Sequence, residues 1–127
     1  LTDGARHFGD VIECVDFRYA ARLTAGNAVT LAALAAAPPP PERVRLRGAV
    51  SASTTISWQE PAGDALAGYR VYWRDTTAPQ WTWARFVPRG QGSLQLDGVI
   101  IDDYLFGVAS VALDGSESVV QFPSPGR

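Results

Sequence analysis

The sequence predicts a mainly β protein, a seven-stranded antiparallel sandwich preceded by one long Ala-rich α-helix. Three observations predict this class. An alanine-dominated run ends at four consecutive prolines, Pro38–Pro41, and β-branched and aromatic residues alternate with polar ones from Arg43 onward. In addition, 9 prolines and 12 glycines divide the 127 residues, which is typical of many turns. A chain of this length holds one compact domain and an appendage rather than two full domains.

The Ala-rich run predicts a helix from about Asp16 to Ala36. Alanine has the highest intrinsic helix propensity, and Asp16 stands where an N-cap residue belongs. From residue 25 to residue 37 only a glycine, an asparagine and a threonine interrupt the small apolar residues. A helix that is apolar on all sides is normally buried on all sides. We therefore expect a body beyond the sandwich to cover residues 16–36.

The alternating part of the chain predicts seven short strands. Glycine, proline and aspartate separate them, as turns require. Short strands at this spacing favour an antiparallel sandwich with Greek-key connections. Residues 1–15 show no clean period and predict a loop with one short strand. The seven predicted strands are Arg43–Val50, Thr54–Gln59, Tyr69–Asp75, Trp81–Val87, Ser93–Asp97, Tyr104–Ala112 and Ser118–Phe122.

Charge and composition exclude several classes of function. The 11 basic residues, all arginine, and the 13 acidic residues give a net charge of −2, so the chain lacks the basic field that nucleic-acid binding requires. Without a lysine there is no P-loop or Schiff-base site. One histidine and one cysteine supply neither a zinc finger nor an internal disulfide. No stretch is long and apolar enough to predict a membrane span.

Three segments of the alternating part carry a resemblance to a known fold. The residues ISW at 56–58, with Pro61 three residues on, resemble the second strand of fibronectin type III domains. GYRVYW at 68–73 resembles the third strand, and YLFGVASVALDGSES at 104–118 resembles the sixth strand and the final turn. The resemblance covers roughly residues 41–122. It identifies a fibronectin type III or immunoglobulin-like sandwich and no activity, because its residues are core residues.

The same resemblance assigns side chains to three strands of the sandwich. Tyr69, Val71 and Trp73 are expected on one face of the third strand, and Leu94 and Leu96 fit the fifth strand. On the sixth strand, four residues are expected to face inward, namely Tyr104, Phe106, Val108 and Ser110.

A second resemblance lies before the prolines. VDFRYAARLTAGNAVTLAALA, Val15–Ala35, is similar to the last helix of secreted co-catalytic di-zinc aminopeptidases, some of whose bacterial members continue into a Pro-rich linker and a fibronectin-like domain. The resemblance implies that residues 1–37 end a peptidase catalytic domain, that residues 38–42 are the linker and that residues 43–127 are the sandwich. It also implies a bacterial source, zinc as the cofactor of the parent enzyme, and a periplasmic or secreted location.

The resemblance transfers no complete zinc site to this chain. In the family, a segment of the form H-T-P-x-D-T before the helix supplies the final zinc ligand. When Val15-Asp16-Phe17 is aligned with the family's helix start without gaps, Arg6 falls at the ligand position. A one-residue deletion would instead place His7 there, as a relic of the zinc ligand. The proline and both threonines of the motif are replaced. The other ligands and the catalytic glutamate belong to a part of the family's sequence upstream of these residues, and one imidazole does not hold a hydrolytic zinc ion. We therefore assign no catalytic, cofactor-binding or metal residue.

Three residues near the predicted helix start have a structural interpretation. Glu13 and Asp16 complement the helix dipole and cap the helix rather than forming an acid and base pair. Cys14 is expected to be a buried, inert thiol, because His7 is the only base that could activate it.

Tryptophan supplies the candidate binding surface. Trp81 and Trp83 fall on the same side of one predicted strand, and Trp73 lies on another. Exposed flat rings can stack sugars or bind a protein partner with little loss of entropy. The alternative is that these indoles complete the core or cover its edge. A basic stripe on the solvated face of the same strands is also predicted, consisting of Arg70, Arg74 and Arg85.

Three functional hypotheses follow. In the first, the chain is a non-catalytic C-terminal region of a zinc aminopeptidase-like protein, with its helix packed on the upstream catalytic domain. In the second, it is a free-standing module that self-associates through residues 16–36. In the third, it binds carbohydrate through Trp81 and Trp83.

Overall fold

The computed structural model describes residues 2–4, 6–7, 9–63 and 65–124, and for residues 2, 3, 6 and 7 it describes the backbone. The chain divides into two compact units, residues 1–36 and 37–127. The first unit begins with a two-stranded antiparallel hairpin where one short strand was expected. Its elements are β1 (Thr2–Asp3), β2 (Arg6–His7), a 3-10 helix (Ile12–Cys14) and α1 (Phe17–Ala36).

Asp16 caps α1 as the sequence predicts. Its Oδ1 accepts the Tyr19 backbone N–H at 3.0 Å, and its carbonyl oxygen accepts the Ala20 N–H at 2.9 Å. The first of these bonds satisfies a donor that the start of a helix leaves without an intrahelical acceptor. The predicted helix from Asp16 to Ala36 is therefore confirmed, with Asp16 as its cap.

No residue of α1 is buried. The exposed fractions of its large apolar side chains range from 53% for Leu23 to 70% for Val29. The hydroxyl groups of Thr24 and Thr30 donate to backbone carbonyls one turn earlier, so even these polar side chains fold back onto the helix. None of the helices in the described part of the chain combines the length and apolar character that a membrane span needs.

The second unit is a sandwich of two three-stranded sheets in which all strand pairs are antiparallel. One sheet has the order β3-β4-β7 and the other the order β6-β5-β8. This confirms the mainly β class and the two-sheet architecture. The six strands are β3 (Glu42–Arg47), β4 (Ser53–Gln59), β5 (Leu66–Asp75), β6 (Trp83–Pro88), β7 (Ser93–Asp97) and β8 (Tyr104–Ala112).

The core lies between the two sheets. In β4 every second residue is buried, whereas in β8 all six residues from 106 to 111 are buried. The β8 residues that are predicted to face inward lie in the core, with Tyr104 partly buried and Phe106, Val108 and Ser110 buried. The buried hydrophobic cluster consists of Val44, Ile56, Trp58, Leu66, Tyr69, Val71, Val87, Leu96, Phe106 and Val108.

The predicted seventh strand, Ser118–Phe122, is wrong among the described residues. Residues 117–121 form two isolated bridges with β8, Val111 with Glu117 and Val108 with Gln121, and no continuous ladder. Two residues lie between the bridge positions on β8 and three lie between those on the segment, so one extra residue interrupts the ladder. Within that interval the Ser110 N–H donates to the Ser118 hydroxyl instead of a carbonyl. We call residues 117–124 the C-terminal strap.

Four other predicted strands have different bounds. β4 begins at Ser53 and β5 at Leu66, one and three residues earlier than predicted. β3 ends before Gly48, whose φ of +145° lies in a region that residues with a side chain rarely adopt. β6 begins at Trp83 instead of Trp81, and it is the edge strand of its sheet. It ends at Pro88. Proline has no N–H to donate to a neighbouring strand, so within sheets it is found mainly on edge strands such as β6.

Candidate functional site

The aromatic residues of the β6-β5-β8 sheet lie on both of its faces. Tyr72 and Trp73 are consecutive residues of β5, so their side chains project to opposite faces. Trp73 packs against the core, on the inner face. Tyr72 is on the outer face, and each of these two residues has its own aromatic neighbours.

The inner-face cluster contains Trp73, Trp83 and Tyr104. Trp83 stands opposite Trp73 in the register of β5 and β6, and the two indoles stack with centroids 6.2 Å apart and planes 18° apart. The Tyr104 ring meets Trp83 edge-on at 5.7 Å. Trp83 remains 40% exposed, because β6 is an edge strand. We call these three residues the Trp83 ledge.

The outer-face cluster surrounds Trp81. Its ring centroid is 5.8 Å from that of Tyr72 and 5.6 Å from that of Phe122, and the Arg74 guanidinium carbon lies 5.6 Å from it. Trp81 therefore joins the C-terminal strap to β5. Trp81 and Trp83 do not form the shared surface that the sequence suggests, because residue 81 precedes the strand and its ring packs on the other face of the sheet.

Gly107 makes room for the Trp81 ring. This residue is paired with Tyr72 across β5 and β8. A Cβ atom at position 107 would lie 3.1 Å from two atoms of the Trp81 ring and 2.3 Å from Cγ1 of Val120. The close approach of the strap to β8 thus depends on the absence of a side chain here.

Charged groups on the outer face also hold the strap. Glu117 forms an ion pair with Arg70 through Oε1, and its Oε2 accepts the Tyr72 hydroxyl at 2.5 Å. Burial raises the pKa of Tyr72, and the hydrogen bond to Glu117 raises it further. Arg74 donates to the Ala78 carbonyl oxygen. The charged groups of the outer face therefore stabilise the sandwich by holding the strap and the loop after β5.

The predicted stripe of three arginines does not exist as one surface. Arg70 and Arg74 share the outer face, whereas Arg85 stands opposite the core residue Val71 and therefore shares the inner side of the sheet. Arg85 is exposed and forms no ion pair or hydrogen bond with any residue that the structure describes.

A shallow groove of about 560 Å³ lies where the proline run joins the sandwich. Arg43, with a φ of +50°, is at its edge and is the one non-glycine residue of the described ranges with a positive φ. The walls are formed by residues 39–44, by Pro61 and Ala62, and by Gln121, Phe122 and Ser124.

The remaining candidates from the sequence lie in the first unit. The His7 side chain lies outside the described part of the chain. Glu13 is in the first turn of the 3-10 helix, and Asp16 is the cap of α1. Cys14 is exposed, so the expectation of a buried thiol is wrong. Across the described ranges, no three His, Cys, Asp or Glu side chains are grouped closely enough to hold a metal ion. Glu13, Cys14 and Asp16 therefore do not fit a zinc site, and we assign no zinc-dependent step to them.

Comparison with curated proteins connects the whole chain to fungal metalloproteases. It is 37% identical over 127 residues to a probable zinc metalloprotease of Leptosphaeria maculans, which covers 98% of this chain and 29% of the relative. A probable zinc metalloprotease of Pyricularia oryzae is also 37% identical, with 98% of this chain and 25% of the relative covered. The chain thus spans between a quarter and a third of these relatives, which are fungal, so the expected bacterial source is not supported. No protein-family profile matches the chain.

Solved structures show the fold of the sandwich. The fibronectin type III domain of the human collagen alpha-1(XX) chain superposes with a TM-score of 0.54 at 20% identity, covering 72% of this chain and 91% of that domain. Titin module A71 from human cardiac muscle superposes with a TM-score of 0.53 at 23% identity, covering 66% of this chain and 86% of the titin module. The second unit therefore has a fibronectin type III-like fold, as its strand motifs indicate.

Sequence reasoning missed Tyr72, Phe122 and Tyr104 as partners of the tryptophans. A signal for the first was present, because Tyr72 and Trp73 are adjacent in a predicted strand and must face opposite ways. No local pattern indicates that Phe122, 41 residues after Trp81, returns to pack on its ring.

Proposed function

We propose that this chain is the non-catalytic C-terminal region of a zinc-dependent aminopeptidase-like protein. In this proposal the fibronectin-like sandwich is an accessory, stabilising or interaction domain, and α1 belongs to the body of the peptidase. The similarity to proteins named probable zinc metalloproteases supports the protease connection, and the resemblance of residues 15–35 to the last helix of di-zinc aminopeptidases supports the finer type.

The exposed apolar surface of α1 carries the proposal. At 100° per residue, Val29 and Leu31 project about 200° apart, and Leu23 is turned about 120° from Val29. All three side chains are more than half exposed. A single flat partner covers one stripe of a helix, so apolar residues on all sides require a surrounding body. The relatives, more than three times as long as this chain, have residues enough for such a body.

Hydrogen exchange tests this arrangement. We expect the amides of α1 to exchange rapidly in the isolated chain while those of β5 and β8 are protected. In the full-length Leptosphaeria relative, the equivalent helix should be protected to the same level as its sandwich. Rapid exchange of that helix in the full-length protein would refute the proposal. We also expect the isolated chain to release no product from aminoacyl-nitroanilide substrates with added zinc, and turnover by the purified chain would contradict its non-catalytic role.

Self-association through residues 16–36 is the second candidate, because the same exposed helix favours it. Two copies would have to bury an area on the order of 1,000 Å² in total to form a stable interface. Light scattering separates the candidates. A concentration-dependent dimer that Leu23→Glu and Leu31→Glu both dissociate supports self-association. A monomer at all concentrations supports the first proposal.

A further inference from the structure

We propose that the Trp83 ledge is a carbohydrate-binding site, in which the open face of Trp83 stacks against one pyranose ring. This inference does not rest on the proposed function. It concerns a surface of the sandwich alone, and it separates Trp83 from Trp81, which the sequence groups together.

The ledge holds the Trp83 indole in a defined orientation. One face of the ring lies against Trp73, with planes 18° apart, and the Tyr104 ring supports it edge-on. Trp73 is itself packed against the core, and the pairing of Trp73 with Trp83 follows from the strand register. A ring that is already ordered loses little entropy when a ligand binds.

The second face of Trp83 has no stacked aromatic partner among the described residues. Trp73 occupies the side toward β5, and β6 is the edge strand of its sheet, so no strand follows on the other side. The indole is 40% exposed. Trp81 differs, because Tyr72, Phe122 and Arg74 all pack around it. Trp83 therefore has a free aromatic face, and Trp81 is used in holding the strap.

Two polar side chains, those of Arg85 and Tyr104, share the inner side of the sheet with Trp83. Arg85 lies two residues along β6 on the same side of the strand, and its guanidinium has no partner in the described ranges. The Tyr104 hydroxyl likewise makes no hydrogen bond to the residues that the structure describes, although its ring is part of the ledge. A sugar needs this combination, an aromatic face for its C–H groups and nearby hydrogen-bonding groups for its hydroxyls.

The size of the open surface favours a sugar over a protein. An indole that is 40% exposed presents on the order of 100 Å², whereas a stable protein interface buries about 800 Å² on each partner. The inward-pointing charge of Arg85 also opposes the addition of a strand to the β6 edge, because such charges are a known protection of sheet edges.

Titration with neutral oligosaccharides tests the site in the full chain. The probes are the hexaoses of β-1,4-linked glucose, N-acetylglucosamine, mannose and xylose. We expect at least one to shift the indole N–H signal of Trp83 in a ¹⁵N correlation spectrum while those of Trp58 and Trp81 stay in place. Trp83→Ala should weaken that binding about tenfold or more. The control Trp81→Phe, which keeps an aromatic ring in the other cluster, should bind as the wild type does.

Three outcomes would overturn the proposal. In the first, no hexaose shifts the Trp83 signal at millimolar concentration. In the second, Trp83→Ala binds as tightly as the wild type. In the third, Trp83 mediates a concentration-dependent dimer, which would make the ledge a protein interface. If Trp83→Ala does not fold, Arg85→Gln and Tyr104→Phe replace it, and unchanged affinity in both variants would then count against the site.

Discussion

The Tyr72 hydroxyl donates a hydrogen bond to Glu117 Oε2 at 2.5 Å, and this bond fixes the C-terminal strap to the middle of β5. Arg70, two residues earlier on the same face, pairs with the other oxygen of that carboxylate. One glutamate thus joins two residues of the sheet to a segment that lacks a regular ladder.

Glu117→Gln should weaken the attachment of the strap. We expect the free energy of unfolding to fall by about 1 kcal/mol, since the pair is partly exposed and the hydrogen bond is to a charged acceptor. The pKa of Tyr72 should fall as well, because the carboxylate favours the neutral phenol. Urea unfolding and ultraviolet titration measure the two effects. Glu42→Gln, at an exposed residue with no ion pair to the described residues, is the control and should change neither quantity.

Gly107→Ala should destabilise the sandwich. The new methyl group would be 2.3 Å from Val120 and 3.1 Å from the Trp81 ring, so strap and ring must move. Overpacking of this kind costs about 1–3 kcal/mol. Chemical unfolding followed by tryptophan fluorescence reports the loss. Gly26→Ala makes the same change where no atom lies within 4 Å, and it should leave the sandwich transition unchanged. Equal stability of the two variants would contradict the packing described for Trp81.

Tyr69→Phe should reduce the loss of stability at high pH. Burial, and after it the charge of Glu60, raise the pKa of Tyr69 from 10.0 to about 12. The pKa of this phenol is higher in the folded than in the unfolded state. Its contribution to the free energy of unfolding is therefore complete below pH 10 and is lost as the pH rises toward 12. Between pH 10 and pH 12, the fall of the free energy of unfolding with pH should become less steep by up to about 1.4 kcal/mol per pH unit. Urea unfolding between pH 8 and pH 12 measures it. Tyr19→Phe, at an exposed residue of α1, should keep the wild-type slope.

Asp16→Ala should lower the helix content of the first unit. It removes the acceptor for the Tyr19 N–H, and the loss of an N-cap costs about 1 kcal/mol. Circular dichroism at 222 nm measures the change. Asp10→Ala removes a carboxylate that is exposed and outside α1, and it should preserve the signal. An identical spectrum for Asp16→Ala would show that α1 does not need this cap.

The helix and most of the strands could be predicted because their causes are local. Alanine propensity and the Asp16 cap act within a few residues, and alternation along a strand separates buried from more exposed residues at Ile56 and Val71. The seventh strand could not be excluded in this way. Its valines and phenylalanine favour a strand, but the single-residue shift between the bridges of Glu117 and Gln121 arises from pairing with β8.

The candidate site shows the same division. Three tryptophans could be chosen from the sequence as candidate binding residues, since large flat rings are suited to ligand binding. Their grouping could not, because it depends on where β6 begins and on what meets each ring. Trp83 stacks on Trp73 because the strand register places them opposite each other. Trp81 instead packs against Phe122, near the end of the chain.

By itself, the sequence determined the Ala-rich helix with its aspartate cap and most strands of a fibronectin-like sandwich. Each of these depends on the backbone preference or the polarity of neighbouring residues. Only the tertiary structure decided which indole is enclosed and which has a free face, how many strands complete the sheets, and on which face Arg85 lies. These features depend on contacts between residues far apart in the chain, and no local pattern encodes such distances.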